Sequence, residues 1–286
     1  MKFGIYFANV GPYVQPDMAA SLGRIAGDHG IESVWTVEHV VVPAGYESEY
    51  PYSSSGRMPG PEESPIPDPL IWLTWVGAAT TTVRLATGIL ILPQRNPVIL
   101  AKELATLDVL SGGRVELGVG VGWLREEFDA LGVPFEERGA RTDEYVEALR
   151  TLWREDEPCF DGKFASFDRA KCFPKPVQSS IPIHIGGHTT AAARRAGRLG
   201  DGFFPGRSTD DELVPLLDTM RAAAKDAGRD PDAIEVTAGG VMDLDGVRRF
   251  ADHGVDRIVL PPLAWDLDTL RERLGRFSRQ VIEKAG

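Results

Sequence analysis

A glutamate and a histidine stand side by side at Glu38-His39, where the run Val34-Trp35-Thr36-Val37 ends. A histidine at a strand end exchanges a proton near neutral pH or orients a substrate by hydrogen bonding. The plainer alternative is a capped structural histidine. His29 and His253 each precede a glycine at a helix end and read as cations completing a helix C-terminus. His184 and His188 are four residues apart but straddle a strand end and a Gly-Gly turn. The helical His-Glu-x-x-His arrangement is absent and no metal is expected.

Three sets of glycines stand out. Gly118, Gly120 and Gly122 alternate and share one strand face, where glycine admits close approach of a ligand to the backbone. A tight barrel corner explains them equally well. Gly186-Gly187 lies between a strand and a helix, where backbone N–H groups make a natural anion site. Gly206-Arg207-Ser208 ends the next strand and adds a guanidinium and a hydroxyl, so the two loops together resemble a phosphate site. Two ordinary turns with a solvated arginine are the alternative. Gly-x-Ser-x-Gly and Walker motifs are both absent. Tyr46, Tyr50, Tyr52 and Arg57 fall in one Pro/Gly/Ser-rich stretch and either line an apolar pocket or pack that stretch together.

The elements that must position these residues alternate along the chain. Strands are expected at residues 2–8, 32–38, 83–92, 114–118, 181–185, 201–205, 234–238 and 257–261. Helices are expected at 17–29, from Asp68-Pro69 onward, and at 97–110, 138–154, 189–199, 210–227, 245–253 and 266–284. Asp68 is a good N-cap and Pro69 suits the first turn. Strands alternating with helices imply a parallel sheet, and eight units in 286 residues imply a closed (β/α)8 TIM barrel. The expected organisation is one domain over residues 1–286, with a long loop at 43–67 and a hairpin insertion at 156–180. In such barrels the site lies at the C-terminal strand ends.

Lys and Arg number 31 against 42 Asp and Glu, a net charge of −11. A nucleic-acid or anionic-membrane binder needs a basic face against that field, so both partners are set aside. Two cysteines, Cys159 and Cys172, are too few for a disulfide framework. Residues 1–7 enter a short apolar run without the longer segment and small-residue cleavage site of an export signal, so a cytoplasmic protein is expected.

Several segments in order resemble the bacterial luciferase-like monooxygenase superfamily, in particular its coenzyme F420-dependent oxidoreductase branch. They are Ser33–His39, Leu85–Leu90, Asn96-Pro97-Val98 running to Ala105–Asp108, Ser111–Trp123, Pro182–Gly187 and Ala196–Phe203. The resemblance spans nearly the whole chain and implies a barrel with an insertion region, commonly a homodimer, with a deazaflavin ring at the strand C-termini. It implies a non-prolyl cis peptide at Gly88–Ile89, behind the ring. It gives Glu38 and His39 as the catalytic pair, with His39 moving a proton and Glu38 setting the histidine or contacting the ring. Cofactor contacts fall by position on Thr87, Gly88, Ile89, Gly120, Gly122, Trp123, Gly186, Gly187, Gly206 and Arg207.

One position departs from the pattern. Sugar-phosphate dehydrogenases of the branch carry a glutamate after the glycine that aligns with Gly122; here Trp123 follows, and Glu126 and Glu127 are the nearest carboxylates. The expectation is hydride transfer between F420 and a small apolar or aromatic substrate. Alternatives are a flavin mononucleotide (FMN)-dependent monooxygenase using O2 and a non-catalytic F420/flavin-binding protein. A phosphosugar isomerase is a further barrel possibility, but it lacks a clearly placed Lys or Glu base.

Overall fold

The computed structural model describes residues 1–206 and 209–285. Eight parallel strand positions close a barrel in the order β3(Arg84–Thr87), β2(Ser33–Thr36), β1(Lys2–Tyr6), β11(Arg257–Leu260), β10(Glu235–Gly239), β9(Gly202–Phe204), β8(Ile183–Gly186) and β5(Val115–Gly120). The circle closes where Leu85 and Ala86 of β3 pair with Val115 and Glu116 of β5. The third strand, expected unbroken over 83–92, is two pieces. After β3 the Gly88–Ile89 peptide is cis, and β4(Leu90–Ile91) then pairs with Val119 and Gly120.

The surrounding helices are α1(Pro16–Asp28), α2(Pro69–Ala79), α3(Pro97–Ser111), α4(Arg125–Ala130), α5(Arg138–Arg154), α6(Thr190–Leu199), α7(Asp210–Asp226), α8(Leu244–Asp252), α9(Leu267–Phe277) and α10(Glu283–Ala285). A π-helical turn, Ser278–Ile282, divides the last helix, which was expected to be continuous. Local chemistry sets the starts: Asp68 accepts the Leu70 and Ile71 amides at 2.9 and 3.0 Å, with Pro69 in the first turn. No helix or strand forms between Thr36 and Pro69. Between α5 and β8, β6(Phe160–Asp161) pairs antiparallel with β7(Ser166–Phe167).

The main core lies between strands and helices, where Ile5, Leu22, Val34, Leu73, Leu104, Leu149, Ile183 and Phe203 are buried. A second, smaller cluster fills the barrel itself: Trp35, Ala86, Phe204 and Val259, with Tyr6 above. Below Trp35 the N-terminal strand ends carry charge. Arg257, fully buried, meets Glu32 at 3.1 Å, Glu116 at 3.1 Å and Glu235 at 2.5 Å, while Arg84 also pairs with Glu116. Burial opposes the Glu116 charge, but His184, Arg257 and Arg84 outweigh it and hold its carboxyl far below the ordinary range.

Two neighbouring helices expose several large apolar side chains, beside Thr74 on α2 and Lys102 and Glu103 on α3. Ile71 and Trp75 on α2 are exposed, as are Ile99, Val109 and Leu110 on α3, with Ile71 at 73% and Leu110 at 72%. No helix is long and apolar enough to cross a membrane, among the described residues.

Candidate active site

Past β2 the chain crosses the barrel rim, and Asn9 fixes its path. The buried Asn9 amide accepts the Val37 N–H at 2.9 Å and donates to the Val37 carbonyl at 2.9 Å and the Pro67 carbonyl at 3.3 Å. His39 follows, its side chain 9% exposed. Its Nδ1 lies 3.1 Å from Oε2 of Glu127, a fully buried residue on α4. The other oxygen of Glu127 accepts the Val40 amide at 2.6 Å and the Val41 amide at 3.3 Å.

Glu38 has other partners. Its Oε2 accepts the Ile91 amide at 2.6 Å and its Oε1 meets Arg95 Nε at 3.0 Å, while Arg95 reaches Asp68 at 2.7 Å. The expectation that Glu38 sets the histidine is therefore corrected: Glu127 holds His39, and Glu38 braces the turn after β4. Adjacent in sequence, the two side chains take different partners, Glu38 on the β4 side and His39 on α4. Burial pushes the Glu38 carboxyl above its usual range despite Arg95 and the Ile91 amide.

The glycine expectations change as well. A Cβ on Gly118 would run into the Thr87 carbonyl. One on Gly120 would come within 2.5 Å of Ile89 Cδ1, and one on Gly186 within 2.5 Å of Ile89 Cγ2. At Gly122, whose φ is +80°, it would meet Phe128 and Ile91 at 2.7 and 2.8 Å. The vacant space at these glycines is thus filled by the chain's own atoms, chiefly Ile89 beyond the cis bond. Gly88 adjoins Trp35 and Phe204 of the barrel interior, and the Thr87 hydroxyl donates to the Gly118 carbonyl at 2.7 Å, so that side chain is engaged within the sheet.

On the opposite rim, the Gly187 amide donates to the Phe204 carbonyl at 3.1 Å, so it is not the free anion donor expected. The helix start lies further on: Thr189 caps α6 through its hydroxyl, which accepts the Ala192 amide at 3.2 Å. The amides of Thr190 and Ala191 meet no acceptor among the described residues. Gly206 lies against Tyr52, whose Cε1 would be 3.0 Å from a Cβ there. Arg207 and Ser208 lie outside the described residues.

The tyrosines of the 43–67 loop join the two rims. His39 meets Trp123 edge-on at 5.6 Å between ring centroids, Trp123 meets Tyr50 at 5.2 Å, Tyr50 meets Tyr52 at 5.5 Å, and Tyr52 meets His188 at 4.7 Å. Tyr46 adds a second edge to Trp123 at 5.5 Å and carries the Arg57 guanidinium 4.7 Å over its ring. Edge-to-face contact is a favoured arrangement for aromatic rings. Burial pushes the Tyr50 phenol up to about 12, so it stays a neutral donor. Glu126, beside Glu127, accepts the Glu47 amide at 2.7 Å, the Ser48 amide at 3.0 Å and the Ser48 hydroxyl at 2.7 Å. Although burial opposes them, these bonds hold its carboxyl down at about 2.

Sequence reasoning named Glu126 and Glu127 only as the nearest carboxylates to Trp123 and gave α4 no place. Among the described residues, one trio has metal-ligand types within reach of one another, Glu116, His184 and Glu235. It lies at the opposite end of the barrel, and Arg257 already bridges its two carboxylates.

Fold and rim together define a (β/α)8-barrel protein with its candidate site at the C-terminal strand ends. Within that class the chain belongs to the luciferase-like monooxygenase family, whose model matches residues 1–245. An uncharacterized protein of Mycobacterium tuberculosis (strain ATCC 25618 / H37Rv) is 34% identical over 264 residues, covering 91% of each chain. An F420-dependent glucose-6-phosphate dehydrogenase of Kineococcus radiotolerans is 31% identical, covering 78% of this chain and 62% of its own. The crystal structure of the monooxygenase RslO1 from Streptomyces bottropensis superposes over the full length of both chains with a TM-score of 0.77 at 25% identity.

Proposed function

We propose that this luciferase-like oxidoreductase transfers a hydride between coenzyme F420 and a small apolar or aromatic organic substrate. The observation that carries the proposal is His39, held by Glu127 and set edge-on against Trp123 at the barrel mouth. The F420-dependent relative from Kineococcus supports the choice of cofactor. When bound, the deazaflavin supplies the hydride chemistry.

The mouth suits such a group. The Nε2 of His39 has no hydrogen bond among the described residues, and two amides at the start of α6 are open to an anion. Ile89 and Trp123 would lie along the ring, with the Thr190 and Ala191 amides toward its phosphate. His39 would hold or move a proton at Nε2. Trp123, Tyr46 and Tyr50 would exclude water and orient a flat apolar substrate. A sugar phosphate is the poorer fit, because Trp123 stands where sugar-phosphate dehydrogenases of the branch carry a glutamate. The proposal requires no metal. It includes a homodimer formed through the exposed apolar side chains of α2 and α3.

The likeness to a monooxygenase over both full chains favours a second reading, FMN-dependent oxygenation. Titrating the purified protein with oxidised and reduced F420 and FMN separates the two. Selective F420 binding supports hydride transfer, preference for reduced FMN supports oxygenation, and binding of neither overturns both.

A further inference from the structure

We propose that Glu127 is a positioning residue that fixes the tautomer of His39, keeping the proton on Nδ1 and the lone pair on Nε2 toward the barrel mouth. The inference rests on the reading that His39 works at that mouth.

The argument starts from the acceptor sites of one carboxylate. Oε1 of Glu127 takes two backbone donors, the Val40 and Val41 amides at 2.6 and 3.3 Å. The main chain fixes those donors, so the carboxylate cannot turn. Its other oxygen is then directed at Nδ1 of His39, 3.1 Å away. An ionised carboxylate only accepts, so in neutral His39 the proton that satisfies this contact sits on Nδ1. Nε2 is left unprotonated, and it has no partner among the described residues. Trp123 restrains the ring from its edge at 5.6 Å. A histidine held this way is preset to accept a proton at Nε2 and, once charged, to return it from the same atom, with Glu127 stabilising the cation.

The sequence hides this arrangement because the two residues are 88 apart and the adjacent glutamate, Glu38, is the natural first choice. It also gives α4 a reason to begin so soon after Trp123. A purely structural role, with Glu127 only satisfying the two amides, is the competing account.

The two accounts part at Glu127→Gln. The amide oxygen must still face Val40 and Val41, so the NH2 group faces Nδ1. That group only donates, so Nδ1 must accept and the proton moves to Nε2. Two-bond proton–nitrogen correlation spectra of the five histidines distinguish these tautomers, and a His39→Ala spectrum identifies the signal. The expected result is the Nδ1–H form in the unsubstituted protein at a pH where the ring is neutral, and the Nε2–H form in Glu127→Gln. An Nε2–H signal in the unsubstituted protein overturns the proposal, as does a tautomer that Glu127→Gln leaves unchanged. If Glu127→Gln does not fold, the unsubstituted spectrum alone decides. Neither cofactor nor substrate is present in these samples. A failed F420 or FMN titration therefore strikes the functional reading and not this one, whereas a wrong tautomer strikes only this one.

Discussion

The side chain of Ile89 occupies the space a Cβ on Gly186 would need, with its Cγ2 2.5 Å from that position. Gly120 stands to Ile89 in the same way from the neighbouring strand. Gly120→Ala and Gly186→Ala are therefore expected to push the residue out of its slot, each costing about 1–3 kcal/mol. Thermal unfolding measures the loss. Pairing each substitution with Ile89→Ala should restore much of it, because the smaller side chain vacates the contested space. No recovery in the double variants would show that the glycines answer some other demand.

His39 is predicted to matter to turnover beyond any cost to folding. With a competent substrate, His39→Ala should lower kcat by about a hundred-fold or more, the ordinary range for a lost acid or base. Truncation also leaves the buried Oε2 of Glu127 without its partner, so the variant should melt lower, and turnover is compared at a temperature where both proteins are folded. Unchanged turnover would remove His39 from the chemistry.

The charged end of the barrel makes stability depend on acid. The folded-state pKa of Glu116 lies far below its unfolded value of about 4.3, so its contribution is complete above that value and declines as pH falls below it. Glu116→Gln leaves Arg257 one partner short inside the barrel and should cost about 3 kcal/mol at neutral pH. The gap between the two proteins should narrow as pH drops from 5 toward 3, about the range in which free carboxylates protonate. A constant gap across a series of melts would contradict the assignment.

The 43–67 loop is predicted to depend on Glu126. Glu126→Ala removes the acceptor of three hydrogen bonds from Glu47 and Ser48, so amide exchange in the loop should quicken while the barrel strands stay protected. Because the folded-state pKa is about 2, the attachment is complete above the unfolded value of about 4.3 and loosens only as pH falls toward 2. Loop protection should thus be flat from neutral pH down to about 5. Equal exchange in both proteins would mean that the loop is held elsewhere.

The exposed apolar side chains of α2 and α3, Ile71, Trp75, Ile99 and Leu110, predict an oligomer. Ile99→Glu and Leu110→Lys set charges on the face proposed to pair and should yield a monomer in light scattering, with the fold intact by circular dichroism. A dimer that survives both substitutions would direct attention to another surface.

The eight strand–helix repeats are legible because each rests on a local signal: apolar runs of strand length, Asp68-Pro69 at a helix start, and Gly112 in a left-handed cap. The break in the third strand is not legible from periodicity, since residues 83–92 read as one apolar run; the family resemblance alone pointed to Gly88–Ile89. The helix α4 escaped notice for a physical reason: Leu124, at its cap, offers no side-chain acceptor. With α4 went the partner of His39. The glycines were visible as missing side chains, but sequence does not say what fills the space they leave, and here Ile89, Phe128 and Ile91 fill most of it.

Glu126 grips the 43–67 loop mainly through main-chain amides, and every residue type except proline has one. The anchorage therefore asks little of the loop's own side chains. Tyr50 and Tyr52 can differ in kind while the loop stays moored at the same point of the rim, whereas Tyr46 is buried and its hydroxyl accepts the Met58 amide at 3.0 Å. A barrel built this way can change the molecules it admits by rewriting one exposed stretch, leaving the proton-handling corner beside it untouched.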